Sequence, residues 1–307
     1  MKLLAITALC GTLTLSASLA AQPLSATAAS RPDEAQTPAA PSLGPQPSSL
    51  SVVLNPPSRP WALHLDAELG MLAILSHRIT IGSDGTRFDY VGDGGQDNLQ
   101  LFSRLQAGFR FADRHHLIFV YQPIDLRTEA RFDQGYRIGG VDFRQGAAVD
   151  LRYGFDFYRA SYAYDLLRSP RHELSVGLSM QIRNASISFT QRDGAARYAS
   201  NDIGLVPALK VRARYTFEGG AFVGFEADGT YATNSFINGA SYPFTGAILD
   251  TSLRVGARLW GPVEVYGNLR YLGGGAMGTS DDPEAPADGF TENWLHTLSL
   301  SLGFGLR

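Results

Sequence analysis

The chain has 307 residues, 18% of them charged and 44% hydrophobic, with 26 basic side chains against 29 acidic ones and a formal net charge of −3. That balance excludes the global basic surface with which a protein grips nucleic acid. The 33 glycines, 16 prolines and 33 aromatics (17 Phe, 13 Tyr, 3 Trp) point to many strands and turns and away from a helical bundle.

The first segment reads as a removable address. Met1-Lys2 opens a short basic region, residues 3–19 carry no charge, and Ser18-Leu19-Ala20 supplies small residues for a signal peptidase, so residues 1–20 are expected to be a signal peptide. Cys10, the only cysteine, lies inside it. The exported chain would then have no disulfide, thiolate metal site or cysteine nucleophile. Residues 21–60 hold nine of the prolines among Ala, Ser and Gln, too few core-forming residues to fold, and are expected to be a disordered periplasmic tether. Arg31-Pro32-Asp33-Glu34 within it is a solvated break.

From Trp61 onward no apolar run reaches the roughly 18 residues of a membrane-spanning helix. Period two appears instead. Leu63, Leu65, Ala67, Leu69 and Met71 alternate with His64, Asp66, Glu68 and Gly70, which puts apolar groups on one face of a strand and polar groups on the other. The pattern recurs at Leu105–Phe111, Leu174–Ile182, Leu209–Tyr215, Leu249–Leu259, Val263–Tyr271 and Leu298–Leu306. Asp113-Arg114-His115, Ser169-Pro170-Arg171, Glu218-Gly219-Gly220 and Trp260-Gly261-Pro262 are tight turns by composition. They alternate with long links over Leu75 to Asn98, Phe132 to Gly146, Gln191 to Asp202, Ala232 to Thr245 and Gly273 to Asn293. Ten strands with this rhythm give an antiparallel barrel with both termini at the tight-turn end. Phase changes near Pro123 and Tyr158 are expected as bulges or as strands running on above a bilayer.

With its signal peptide, dyad alternation, alternating loop lengths and terminal amphipathic strand, the segment from Trp61 to Arg307 resembles the bacterial outer-membrane β-barrel proteins. The fold class expected is therefore all-β, a ten-stranded transmembrane barrel over residues 61–307. The resemblance implies residence in the outer membrane of a Gram-negative bacterium with periplasmic termini, insertion by the outer-membrane assembly machinery, and outer-membrane lipid and lipopolysaccharide as partners of a monomer. That family's last strand usually ends on an aromatic residue, whereas Phe304 here is followed by Gly305-Leu306-Arg307. Ten strands is also the size of the omptin surface proteases, but their paired Asp and Asp-His motifs are not placed here.

The polar faces carry full charges. Eleven basic and ten acidic side chains are expected in the lumen: Asp66, Glu68, Arg104, Arg110, Asp125, Arg127, Glu129, Asp150, Arg152, Asp156, Arg183, Lys210, Arg212, Arg214, Glu226, Asp228, Asp250, Arg254, Arg258, Glu264 and Arg270. Near-balance argues for pairing. Antiparallel pairing about Gly219 opposes Arg212 to Glu226 and Lys210 to Asp228, and pairing about Gly261 opposes Arg258 to Glu264. A ten-stranded barrel filled in this way leaves at most a narrow pore.

Other motifs carry less chemistry. Of the six histidines, His64, His115, His116 and His172 fall at the tight-turn end, leaving His77 and His296 as weak catalytic candidates that Ser76 or Asp89 could complete. Asp84, Asp89, Asp93 and Asp97 in the first long link, and Asp281, Asp282, Glu284 and Asp288 in the last, supply oxygen donors without EF-hand spacing, so no metal site and no cofactor is assigned. Gly273-Gly274-Gly275 and Gly92-Asp93-Gly94-Gly95 read as turn glycines rather than phosphate loops. Tyr121, Tyr153, Phe155, Phe157 and Trp294 fit an outer aromatic belt, and Trp61, Phe111, Tyr215, Phe222 and Trp260 an inner one. The role these readings favour is structural or surface-interacting, with a largely closed lumen. The alternatives are a narrow channel for small solutes, a hydrolase or lipid-modifying enzyme at the extracellular rim, and a soluble β-sandwich or barrel.

Overall fold

The computed structural model describes residues 60–307 apart from 168, 170, 234–243, 281–284 and 286; the side chains of 183, 184 and 202 are likewise outside the description. The expected signal peptide and all of the expected tether but Pro60 lie outside the described residues.

The described chain forms fourteen strand segments: β1 (Trp61–Ile81), β2 (Phe88–Asp89), β3 (Leu99–Phe111), β4 (His115–Gln122), β5 (Asp125–Arg131), β6 (Tyr136–Ile138), β7 (Val141–Phe143), β8 (Ala148–Asp165), β9 (His172–Gln191), β10 (Arg197–Thr216), β11 (Ala221–Thr233), β12 (Phe244–Trp260), β13 (Val263–Thr279) and β14 (Phe290–Leu306). Every long strand pairs antiparallel with its neighbour in sequence, and β14 pairs with β1 from Leu65↔Leu306 to Ile81↔Thr291, which closes the sheet. Segments β4 and β5 are one stave. Both pair with β8 in a single register, Gln122↔Phe157 before Pro123 and Asp125↔Gly154 after it. Ten staves therefore make the barrel, while β2 lines the upper part of β1 and β6–β7 form a separate hairpin within the link between β5 and β8.

Side-chain parity sets the two faces. On β1, Leu63, Leu65, Leu69, Met71 and Leu75 are exposed while Asp66 and Glu68 are buried; on β14, Leu300, Leu302 and Phe304 are exposed while Ser299 and Ser301 are buried. In water such a wall of exposed aliphatics would be an aggregation surface; in lipid it is the stable arrangement. The run from Leu63 to Leu75 rises roughly 30 Å at roughly 3.3 Å per residue and about 40° of tilt, enough to cross a hydrocarbon core. The molecule is a ten-stranded transmembrane barrel of the outer-membrane type, and a soluble sandwich would need the opposite sidedness.

The strands run well past the bilayer at the long-loop end. Residues 76–81, 197–202, 273–279 and 290–293, expected in links, are all strand, and the link expected from Gln191 to Asp202 shrinks to residues 192–196. Above the bilayer the wall meets water on its outer side, so polarity inverts while backbone parity does not. On β8 every odd residue from Val149 to Asp165 is buried, with no phase change at Tyr158, and the β4–β5 register passes Pro123 unbroken. Tyr153, Phe155 and Phe157 therefore lie inside the barrel instead of in an outer belt, and Phe222 is also buried. A real bulge occurs where none was expected, between Ile74 and Ser76 against β14.

The interior has two storeys. At the long-loop end, residues 82–98 and 132–147 turn inward and bury Phe88, Tyr90, Phe132, Tyr136 and Phe143 against Phe189 and Tyr153 of the wall. Phe88 sits edge-on to Tyr90, Tyr136 and Phe189, with ring centroids 5.2, 5.3 and 5.2 Å away. Edge-to-face contacts of this kind add about 0.5–1.5 kcal/mol each beyond area burial. Below this dry core lie the charges. Glycines make room where large groups cross the wall: a Cβ on Gly108 would collide with the His64 ring, one on Gly303 with Tyr266, and one on Gly275 with Trp294.

One stretch of wall is open. The β3–β4 ladder ends at Leu105↔Tyr121, and β5 pairs only with β8, so residues 99–104 of β3 have no strand partner on that side among the described residues. A cavity of about 210 Å³, lined by Leu72, Leu101, Phe102, Pro123, Ile124 and Leu126 among others, marks the seam.

Candidate functional site: the charge-paired lumen

Alternation places charged side chains of β1, β3, β8, β10, β11, β12 and β13 on the inward face, and closure turns them toward each other. Seven carboxylates and six Lys or Arg cations are buried among the described residues, and Glu173, Arg214 and Arg307 at the mouth bring each side to eight. The buried layer is close to electroneutral, and Arg110 and Arg258 add further positive charge at the mouth.

Hairpin neighbours meet as their register demands. Lys210↔Asp228 and Arg212↔Glu226 are direct β10–β11 partners, and Arg258↔Glu264 are β12–β13 partners. Lys210 Nζ donates to Glu226 Oε1 at 2.5 Å and to Asp228 Oδ2 at 2.9 Å. Other pairs cross the cavity. Arg159 of β8 reaches Asp228 of β11 at 2.6 Å and Asp250 of β12 at 2.8 Å. Arg254 of β12 reaches Glu68 of β1 at 3.1 Å, where Tyr266, Asn268 and Ser301 also donate. Arg270 binds Asp250, and Ser179 donates to Asp228. Arg214 of β10 spans to Glu264 of β13 at 2.8 Å. Rings extend the network, with the Arg214 guanidinium 3.7 Å above Phe222 and that of Arg159 4.6 Å from Phe157. An ion pair out of water is strongest when both partners are fully hydrogen-bonded. Here the carboxylates are shared among several donors, while Arg104, Arg159, Arg254 and Arg270 each keep at least one guanidinium nitrogen without a hydrogen-bond partner.

The structure brings Asp66, Glu68, Arg104, Lys210, Arg212, Glu226, Asp228, Asp250, Arg254, Glu264 and Arg270 together in the buried layer, with Arg110, Arg214 and Arg258 at its tight-turn mouth. It separates Asp125, Arg127, Glu129, Asp150, Arg152 and Asp156 from them: all six lie on the outward parity of β5 and β8. There they form a surface cluster, in which Arg152 Nε meets Asp125 at 2.9 Å and Arg192 bridges Glu129 and Asp150 at 2.6 and 2.7 Å. The cause is the inversion above the bilayer, where charge belongs on the outside. The Arg152 bond comes first among the reasons that the Asp125 carboxyl sits below the usual carboxylate range. The Arg183 side chain lies outside the description. Sequence reading missed Arg159, Glu173, Asp165 and Arg307. Unbroken odd parity along β8 would have found Arg159 and Asp165.

The two candidate histidines are neighbours in register but on opposite faces, because the bulge before Ser76 pairs His77 with Leu295 and Ser76 with His296. His77 is buried, its Nδ1 donating to Gln96 Oε1 at 3.1 Å and its ring stacked on Tyr90 at 3.9 Å. His296 faces outward, stacked on Trp294, with Nδ1 2.8 Å from the Tyr271 hydroxyl. No hydrogen bond joins His296 to Ser76 or Asp89 among the described residues, and Asp89 instead binds Arg78 at 3.0 Å. Three of the loop acids are likewise engaged: Asp84 holds Arg137, Asp93 accepts the Asp89 amide, and Asp288 accepts the Ser83 amide. Asp281, Asp282 and Glu284 lie outside the described residues.

No family model matches the chain, and no curated protein matches it. Among solved structures it is similar to the outer membrane protease OmpT from Escherichia coli, at 10% identity over 80% of this chain and 96% of that one, TM-score 0.41. It is also similar to the translocator domain of the autotransporter NalP from Neisseria meningitidis, at 13% identity over 79% and 88%, TM-score 0.38. A third is Ail, the attachment invasion locus protein of Yersinia pestis, at 9% identity over 80% and 99%, TM-score 0.32. At these values none of them transfers a role.

Proposed function

We propose that the protein is a closed barrel of the Gram-negative outer membrane, with its tight-turn end and both termini periplasmic, serving a structural or surface-interaction role through the loop-capped end. One observation carries this reading: two different seals lie in series along the axis, an aromatic core above and a cross-lumen ion-pair layer below. A channel needs a continuous wet path, and each storey by itself opposes one. The separation of His77 from His296 leaves the hydrolase reading without an assembled acid/base pair. The capped end offers a firm platform, since Arg137 ties Asp84 to Asp142 at 2.8 and 3.0 Å and Asp288 ties one loop to Ser83 of another. The test is planar-bilayer recording of the folded full chain. Silence at all voltages is the expected result, and reproducible discrete steps would replace this role with the channel.

A further inference from the structure

At the tight-turn end the ion-pair layer opens into a vestibule of about 400 Å³. Arg110 of β3, Arg214 of β10, Arg258 of β12 and Arg307 line it, together with His64 of β1 and His116 of β4. Three of these cations share one carboxylate: Glu264 takes Arg214 at 2.8 Å, Arg307 at 2.8 Å and Arg258 at 3.7 Å, and only Arg307 has a second, Asp66 at 3.4 Å. Arg110 has no ion-pair partner among the described residues. The other bordering acids are engaged elsewhere. Glu173 binds Arg212 at 3.2 Å and accepts from Ser175, Asp165 accepts the Leu167 and Leu174 amides, and Glu218 faces Arg171 at 3.5 Å.

A second observation points the same way. His116 is 5% exposed and His64 7% exposed, yet both ring nitrogens of His116 and Nε2 of His64 lack a hydrogen-bond partner. Buried polar atoms are ordinarily partnered. These three lie just behind the vestibule surface, His64 Nε2 against Gly108 of β3, and a turn of either ring presents them to a ligand's acceptors. We propose that this vestibule binds a small phosphate-bearing anion. Guanidinium forks match a tetrahedral oxyanion bidentately, imidazole N–H groups supply further donors, and the volume leaves room beyond the phosphate for a small polyol. A soluble phosphate ester and the glycerophosphate headgroup of a lipid at that end of the barrel share this chemistry. The inference needs only the barrel and its vestibule, so it stands or falls separately from the closed-lumen role.

The experiment titrates the full chain, folded in neutral detergent, with glycerol 3-phosphate and separately with dihexanoyl phosphatidylglycerol, reading phosphorus-31 line width and the His64 and His116 imidazole signals. Saturable broadening with movement of both imidazoles is expected. Arg110→Gln and His116→Asn should each weaken binding about tenfold or more, while Arg127→Gln on the outer cluster leaves it unchanged. Preference for the free ester identifies a soluble ligand, and preference for the short lipid identifies a headgroup. No saturation by either below about 10 mM, or unmoved imidazoles in the wild type, overturns the proposal whether or not the variants fold.

Discussion

Lys210 shows how much rests on single side chains in this lumen. It is 1% exposed, and its ammonium is shared by Glu226 and Asp228. Replacing it with methionine keeps the volume but removes one buried cation, leaving Asp228 to Arg159 and Glu226 to the longer contacts of Arg212 and Arg254, a loss of about 3 kcal/mol. Lys210→Met is therefore expected to lower the urea midpoint sharply, and Lys210→Met with Glu226→Leu to lose less than the two single changes summed. Strict additivity would show that the pair is not coupled. Asp89 offers a pH handle outside the membrane. Partial burial pushes its carboxyl up, but the Gly92 amide, the Arg78 guanidinium and the Val91 amide outweigh that and hold it below the usual range. A depressed folded-state value means that the contribution is complete above the unfolded value near 3.8 and disappears as pH falls through the lower folded one. The loop carrying Tyr90 should thus loosen only below about pH 4, measured as faster exchange of the Tyr90 and Gln96 amides after correction for intrinsic rate. Asp89→Asn should show the loosened rates already at neutral pH.

Along a strand, the sequence reports polarity, whereas the fold obeys parity. Inside the bilayer the two coincide, which is why the alternation at Leu63–Met71 or Leu298–Leu306 reads correctly and why Lys210 and Asp228 can be paired from Gly219 alone. Above it they part: Asp150, Arg152 and Asp156 are polar and outward, Tyr153, Phe155 and Phe157 apolar and inward. Polarity alone turns that segment inside out. The bulge before Ser76 was illegible for another reason, since nothing local to Leu75-Ser76 demands it and only the pairing with β14 reveals it. The seam beside β3 is also a property of pairing. Hydrocarbon penalises an unpartnered strand edge, so residues 99–104 should be the least protected part of the wall within the apolar band. Alternate amides there, those aimed at the seam, are expected to exchange markedly faster than their neighbours paired to β1. Uniform protection along β3 would mean that β5 closes onto it in solution.

For the whole molecule, the two storeys make distinct predictions because they are chemically independent and stacked on one axis. The upper seal is apolar and built largely by residues 82–98 and 132–147; the lower is ionic and built by the staves themselves. Barriers to an ion in series add, so removing one leaves the other in control. Replacing residues 84–96 with a short turn removes Phe88 and Tyr90 from the upper core, and such a barrel should still be silent in a planar bilayer. Arg159→Ser with Arg254→Ser cuts bonds that cross the cavity to Asp228, Asp250 and Glu68, and leaves the aromatic core in place. It too should be silent, although less stable, since it strands carboxylates. Only the combination should conduct, and it should favour cations, because the exposed lower wall then carries an excess of carboxylates. Heat-dependent gel migration of each variant establishes that the barrel has formed. Conductance from the loop replacement alone would mean that water already threads the ionic layer, and selectivity for anions in the combined variant would mean that Arg104, Lys210 and Arg212 dominate the lumen despite their partners.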